Sequence, residues 1–332
     1  MILFKDIITQ NEKMLENIEK ARIYCDKNVP VLIYGETGTG KELFAQSLHY
    51  EGNRKSKPFI AQNCANIGEG IFESVMWGVE RGAFTGAVEG AGLFETADKG
   101  TLFIDEINSL PQHLQAKLLR VIENQKVVRV GGTRPHMVDV RLIFAMNDTP
   151  ENVIKNNIIR TDLFFRLSEY SLRMIPLRDR KDDIPLYVEY CIQKYNRENN
   201  KGIRGVTDEL YEMMFDYQWP GNVRELMHYI SFACTGCTSE LIGKDDMPDF
   251  FFDFYDDEAE TVNVNTVEDI SSKIGINGKS YEELMQVYSE VVLRITLEKA
   301  NGNVSRAARM LKMPRQTLQH RLRKAGLDNQ RN

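Results

Sequence analysis

The run Gly35-Glu36-Thr37-Gly38-Thr39-Gly40-Lys41 follows the apolar VLIY and precedes the helical ELFAQSLH, and that junction restricts the chain to few folds. A GxxxxGK loop between a buried strand and a helix is a phosphate cradle: its glycines let backbone N–H groups wrap a β-phosphate, the helix N-terminus adds partial positive charge, and Lys41 reaches the β and γ oxygens. The residue after Lys41 departs from the common pattern. Glu42 stands where a Ser or Thr would usually meet magnesium, so the metal must lean on other ligands.

One such ligand is expected at Asp105, which with Glu106 ends the apolar strand GTLFIDE 64 residues after Lys41. Parallel sheets bind ligands at the carboxyl edge of their strands. There Asp105 can hold Mg2+, directly or through water, and Glu106 can polarise an attacking water. VPVLIYG, KPFIAQN, GTLFIDE and VRLIFAM read as short buried strands. LPQHLQAKLLRVIEN between them carries Leu110, Leu114, Leu118, Val121 and Ile122 on one helical face. Together they predict an α/β fold, a parallel sheet with crossover helices. From about Asp182 to Leu241 the pattern is helical only, then it loses periodicity until Tyr281.

At 332 residues, with 42% hydrophobic and 27% charged, the chain is long enough for two or three domains. It has no apolar run long enough for a membrane span and no signal-peptide start, so a cytoplasmic location and no membrane partner are expected. Cys25, Cys64, Cys191, Cys234 and Cys237 are an odd count at irregular spacing. The single CxxC lacks a second pair for zinc, and thiols buried along helices are the expectation. Net charge is −6 but uneven: Asp245 to Glu260 holds eight acids, whereas Gly302 to Asn332 holds eight Lys or Arg against Asp328 alone. That tail is either a nucleic-acid surface or a solvated basic helix.

RGAFTGA, Arg81 to Ala87, has no charge between Arg81 and Glu89. Gly82 and Gly86 allow the backbone to fold back, which leaves two readings: a buried turn with Phe84 in the core, or a tip presenting Phe84 and Thr85 to a partner.

Several blocks, in order and spacing, resemble the AAA+ activators of sigma-54 RNA polymerase, the bacterial enhancer-binding proteins: GETGTGKE with its Glu42, NCA at Asn63, RGAFTGA, GTLFIDEI, VRVGG at Val128, RTDLFFRL, PLRDRKDDI and WPGNVREL. The likeness runs from about Phe4 to Leu241. It implies a P-loop NTPase with an α/β ATPase subdomain (1–178), an all-α lid (179–245), a linker (246–279) and a DNA-binding domain (280–332). It implies ATP and Mg2+ as ligands, and a dimer assembling into a hexamer or heptamer ring. Gly82, Ala83, Phe84, Thr85, Gly86 and Ala87 would contact sigma-54 in the RNA polymerase holoenzyme. Asn63 would hold Glu106 from water until the nucleotide state is right, and Asn147 would be a sensor near the γ-phosphate, with Met146 where a Thr is common. Arg160 and Arg166 would reach the neighbouring subunit's nucleotide, their alternative being surface ion pairing, and Arg224 would sense nucleotide from the lid.

The tail NGNVSRAARMLKMPRQTLQHRLRKAGL resembles the helix-turn-helix of the nucleoid protein Fis. Ala307 and Ala308 would allow close packing, and Lys312 replaces the usual turn glycine. Arg315, Gln316, Thr317, Gln319, His320, Arg321 and Arg323 would meet double-stranded enhancer DNA. Tyr281 to Ala300 offers Leu284, Val287, Tyr288, Val291, Val292 and Ile295 for core or dimer packing. FETADKGTLFIDEINSL and FAMNDTP resemble activators of arginine and amino-acid catabolism in Gram-positive bacteria. Family members usually carry a receiver, PAS, GAF or other sensory domain ahead of the ATPase, whereas Phe4 already matches the ATPase start. A generic AAA+ unfoldase is disfavoured by GAFTGA and the tail; a repressor that keeps the fold, by the intact GAFTGA.

Overall fold

Five short strands hydrogen-bond into one parallel sheet in the computed structural model, which describes residues 1–248, 251–252, 293, 296, 304, 307, 308, 311, 315, 318, 319 and 322. They are β1 (Val31–Tyr34), β2 (Phe59–Asn63), β3 (Thr101–Asp105), β4 (Arg141–Met146) and β5 (Ser171–Arg173), in the spatial order β2-β3-β4-β1-β5. Val31 to Ile33, Leu102 to Ile104 and all of β4 are buried, as expected for strands covered on both faces. The register sets Asn63 beside Asp105 and Tyr34 beside Met146, so the loops after β1, β2, β3 and β4 leave from one edge.

The covering helices are α1 (Glu12–Tyr24), α2 (Lys41–Tyr50), α3 (Glu69–Trp77), α4 (Gln112–Asn124) and α5 (Thr161–Leu167). α1 begins where the Asn11 side chain accepts the Met14 N–H at 3.2 Å. The face expected on α4 is the one buried: Leu114, Leu118, Val121 and Ile122 join Phe72, Trp77, Phe94 and Phe144 in one core. Each such side chain contributes about 1.5–3 kcal/mol on full burial. The opposite face of the sheet packs Ile33, Phe103 and Ile143 on Met14, Ile18, Phe44 and Leu48.

Beyond β5 the chain forms α6 (Ile184–Asn199), α7 (Asp208–Asp216) and α8 (Asn222–Gly236) around Trp219, which is fully buried and donates its indole N–H to the Met214 carbonyl at 2.8 Å. Two features depart from the expected all-α lid ending at 245. Gly205–Val206 pairs in parallel with Leu241–Ile242, a bridge too short to leave a period in the sequence. Met247 and Phe251 are buried in the lid core, because Phe251 packs on Tyr217, Trp219 and Tyr229; the stretch expected as linker therefore begins as part of the lid.

Met1–Glu258 and Ala259–Asn332 are two compact units. In the second, Leu293, Ala307, Ala308, Leu318 and Leu322 form a small buried core, with Val304 and Leu311 packed on it.

Candidate functional site

The sheet order gathers the expected phosphate-handling residues. A cleft of about 410 Å³ at the carboxyl edge is lined by Thr37, Gly38, Thr39, Gly40, Lys41 and Glu42 of the loop, by Asn63, Asp105 and Glu106 at strand ends, and by Arg224 of the lid. Gly38 (φ 80°) and Gly40 (φ 101°) adopt backbone conformations that suit glycine, and Gly40 caps α2. Lys41 donates through Nζ to the carbonyls of Gly35 at 2.7 Å and Glu36 at 3.0 Å, which holds its ammonium inside the loop. Burial lowers the pKa of that ammonium below its ordinary value, the nearby Asp105 and Glu106 pull it up, and Arg224 pushes it down. Lys41 and Arg224 lining one cleft at the N-terminus of α2 make a field for a polyphosphate.

Glu106 has left-handed backbone geometry (φ 53°, ψ 46°) and donates its N–H to Oδ1 of Asp105 at 2.9 Å. Strain of this kind, about 1–3 kcal/mol in a non-glycine residue, persists where surrounding structure fixes a side chain's direction. Asn63 accepts the Ala65 N–H at 2.8 Å, and no hydrogen bond joins it to Glu106. Asn147 is exposed at the end of β4, accepts from Nδ2 of Asn108 at 2.9 Å, and is outside the cleft lining.

Residues that the sequence reading left without a role complete the cleft. Ile7, Met14, Met174, Tyr187, Val223 and Met227 supply an apolar side beside the phosphate loop. Tyr187 is held by donating to the Ile8 carbonyl at 2.7 Å. Three successive loop carbonyls are tied to the lid and its entry: Thr37 accepts from Asn222 at 3.0 Å, Gly38 from the Arg224 N–H at 3.3 Å, and Thr39 from Arg180 at 3.1 Å. A Cβ on Gly38 would fall 2.1 Å from the Gly221 carbonyl oxygen, so loop and lid turn touch at backbone level. Arg180 and Asp183 are a buried pair at 3.4 Å, and Asp183 also accepts from Thr9 and the Gln10 N–H, each at 2.7 Å. The signal for these was PLRDRKDDI, whose arginines had no partner visible in sequence.

Arg160 and Arg166 do not line the cleft. Arg160 pairs with Asp162 at 2.8 Å on the exposed surface, the arrangement its alternative reading names. Arg166 lines a separate cleft with Asn28, Val29, Pro30, Arg141 and Leu142, where β1 and β4 begin. That is the opposite edge of the sheet, roughly 13–20 Å away by strand length.

The RGAFTGA segment rises from a two-residue antiparallel stem, Gly78–Val79 paired with Gly90–Ala91, after α3. Gly82 and Gly86 both have φ 83°, and Phe84 is 55% exposed, so the segment is a surface tip. Its base rests on the VRVGG segment: Glu80 donates its N–H to the Val130 carbonyl at 3.0 Å, and a Cβ on Gly131 would fall 2.5 Å from that of Ala83.

All five cysteines are buried. Burial pushes the thiols of Cys25, Cys191 and Cys234 up to about 11 and that of Cys64 to about 12, which keeps them protonated. Among the candidate DNA contacts, Arg315 is helical and exposed and Gln319 is helical and half-buried; Gln316, Thr317, His320, Arg321 and Arg323 lie outside the described residues, as do Lys312 and the packing candidates Leu284, Val287, Tyr288, Val291, Val292 and Ile295. No helix among the described residues is long and apolar enough to cross a membrane.

Residues 7–173 match the Sigma-54 interaction domain, residues 178–263 the AAA+ ATPase lid domain, and residues 290–324 the Fis family of bacterial regulatory proteins. The chain is 38% identical to the transcriptional activator RocR of Bacillus subtilis, over 97% of its own length and 68% of that relative's. It is 36% identical to the regulatory protein AtoC of Escherichia coli, over 97% of its length and 68% of that relative's. Among solved structures, NtrX from Brucella abortus in complex with ADP aligns at a TM-score of 0.68 and 26% identity, over 96% of this chain and 69% of NtrX. The NtrX complex with ATP gives the same score over 97% of this chain and 69% of NtrX. The strand-edge cleft and the glycine-framed tip lie in the first of these matched modules, Arg224 in the second and the small buried core of Ala307, Ala308, Leu318 and Leu322 in the third, and the chain belongs to the sigma-54-dependent transcriptional activators, with an AAA+ ATPase module and a Fis-type helix-turn-helix.

Proposed function

We propose that the chain hydrolyses ATP in a ring of its own copies, a hexamer or heptamer built from dimers, and uses the cycle to remodel a sigma-54 RNA polymerase closed complex into an open one. The observation that carries this reading is the exposed, glycine-framed tip of Phe84 and Thr85 in the same subdomain as a phosphate cleft. Lys41 and the loop N–H groups hold the β- and γ-phosphates, the apolar side of the cleft takes the base, and Glu106 orients the attacking water. The Asp105 carboxylate, a hard oxygen donor beside Lys41, suits Mg2+. The Thr39 hydroxyl is held by donating to the Glu36 carbonyl at 2.7 Å. When bound, the ion would neutralise charge on the phosphates.

Hydrolysis takes its last charge from another copy. Arg166 stands at the sheet edge opposite Lys41, too far for its own guanidinium to return, so it and Arg160 serve the neighbour's nucleotide. The tail binds double-stranded enhancer DNA as a dimer, with affinity that falls steeply as salt rises. A cytoplasmic location follows from the RNA polymerase partner.

Thr85→Ala tests the coupling. It should hydrolyse ATP and bind DNA as the parent does, yet fail to support in vitro transcription by sigma-54 polymerase from a supercoiled promoter. Parent-like transcription by Thr85→Ala would remove the tip from the mechanism.

A further inference from the structure

We infer that Arg178 and Asn222 are positioning residues that neutralise and anchor a carboxylate carried by the phosphate loop itself, Glu36, and so let the loop hold a polyphosphate; this rests on the reading of the cleft as an ATP site. Glu36 is the second residue of the loop, and its own carbonyl accepts from Lys41 at 3.0 Å. A free carboxylate there would repel the phosphates that Lys41 attracts.

The structure ties that carboxylate down from two elements. Arg178, just after β5, donates from Nη1 to Oε2 at 2.8 Å and from Nη2 to Oε1, a two-pronged pair. Asn222, at the first turn of α8, donates to Oε2 at 3.2 Å and to the Thr37 carbonyl at 3.0 Å, while its own oxygen accepts the Leu177 N–H at 2.8 Å. The neighbour of Arg178 and the head of the lid helix thus grip one another and the loop through a single amide. Asn222 is fully buried with φ 53°, and Trp219 in the same turn has φ 52°. Two strained residues in one turn mark a junction whose shape the surrounding contacts enforce. Paired in this way, Glu36 has its pKa lowered below the ordinary 4.5, chiefly by the Arg178 hydrogen bonds, and its charge is directed at Arg178 instead of at the ligand. Arg178 does not line the cleft, so it acts only through Glu36.

The full chain is titrated with a fluorescent ATP analogue. Arg178→Gln, which leaves Glu36 unpaired, should weaken binding about tenfold or more, and the double variant Glu36→Gln/Arg178→Gln should return to within about threefold of the parent. A merely structural arginine predicts a double variant no better than the single. Arg178→Lys keeps the charge without the fork and should lie between; it also serves if the glutamine variant fails to fold, which thermal melting would reveal. Parent-like affinity in Arg178→Gln, a double variant as weak as the single, or a lysine variant as weak as the glutamine variant overturns the inference. A parent chain that does not bind the analogue overturns the nucleotide reading beneath it.

Discussion

Gly131 faces Ala83 with no room for a side chain: a Cβ on it would lie 2.5 Å from the Ala83 Cβ and 2.7 Å from the Ala83 Cα. Gly131 also has φ 76°, a conformation that suits glycine. Gly131→Ala should therefore cost roughly 1–2 kcal/mol in backbone strain and shift the base of the 81–87 loop. ATP hydrolysis should persist while open-complex formation is lost. A variant as stable and as active in transcription as the parent would show that the VRVGG segment does not support the loop.

The cleft predicts two separable failures. Lys41→Ala should lose ATP binding, because the buried ammonium is the loop's own positive charge. Glu106→Gln should bind ATP but turn it over about 100-fold more slowly or worse, the loss expected when a general base is removed. Equilibrium binding and steady-state phosphate release distinguish them, and parent-like turnover in Glu106→Gln would overturn its assignment.

Specific ATPase activity should rise with protein concentration. Arg166→Ala should bind nucleotide normally and lose about 10³-fold in turnover. The measurement is phosphate release across a dilution series, with oligomeric state followed by light scattering. Constant turnover in a proven monomer would exclude a role in trans.

Acid should weaken the 78–137 region through Glu95. Arg129 donates to both its oxygens at 2.8 Å, which lowers its pKa below the ordinary 4.5. A depressed carboxylate contributes stability that is present above its unfolded pKa and is lost as pH falls through the folded one. Glu95→Gln should thus melt below the parent at about pH 7, with the gap closing as pH falls from the ordinary 4.5 through the lowered folded-state pKa of Glu95. A gap that stays constant with pH would mean the pair contributes nothing through charge.

What could be read from the sequence was local. The phosphate loop, the acids at Asp105 and Glu106 and four strands are runs of neighbouring residues, so pattern and spacing reveal them. β5 escaped because three residues, SLR, give no alternation to detect, and the stem of the 81–87 loop because it is two residues long. The anchors of the phosphate loop escaped for another reason. Arg178 and Asn222 lie 142 and 186 positions from Glu36, and only the folded chain brings them together. Phe84 had two readings until φ 83° at both flanking glycines turned the segment outward.

In the proposed ring, Arg166 and Lys41, at opposite edges of one sheet, would make each copy of the chain a donor on one face and a recipient on the other. Chains carrying Glu106→Gln and chains carrying Arg166→Ala should each be inactive alone. Mixed, they should complement, because a junction pairing the intact Glu106 of one with the intact Arg166 of the other has everything it needs.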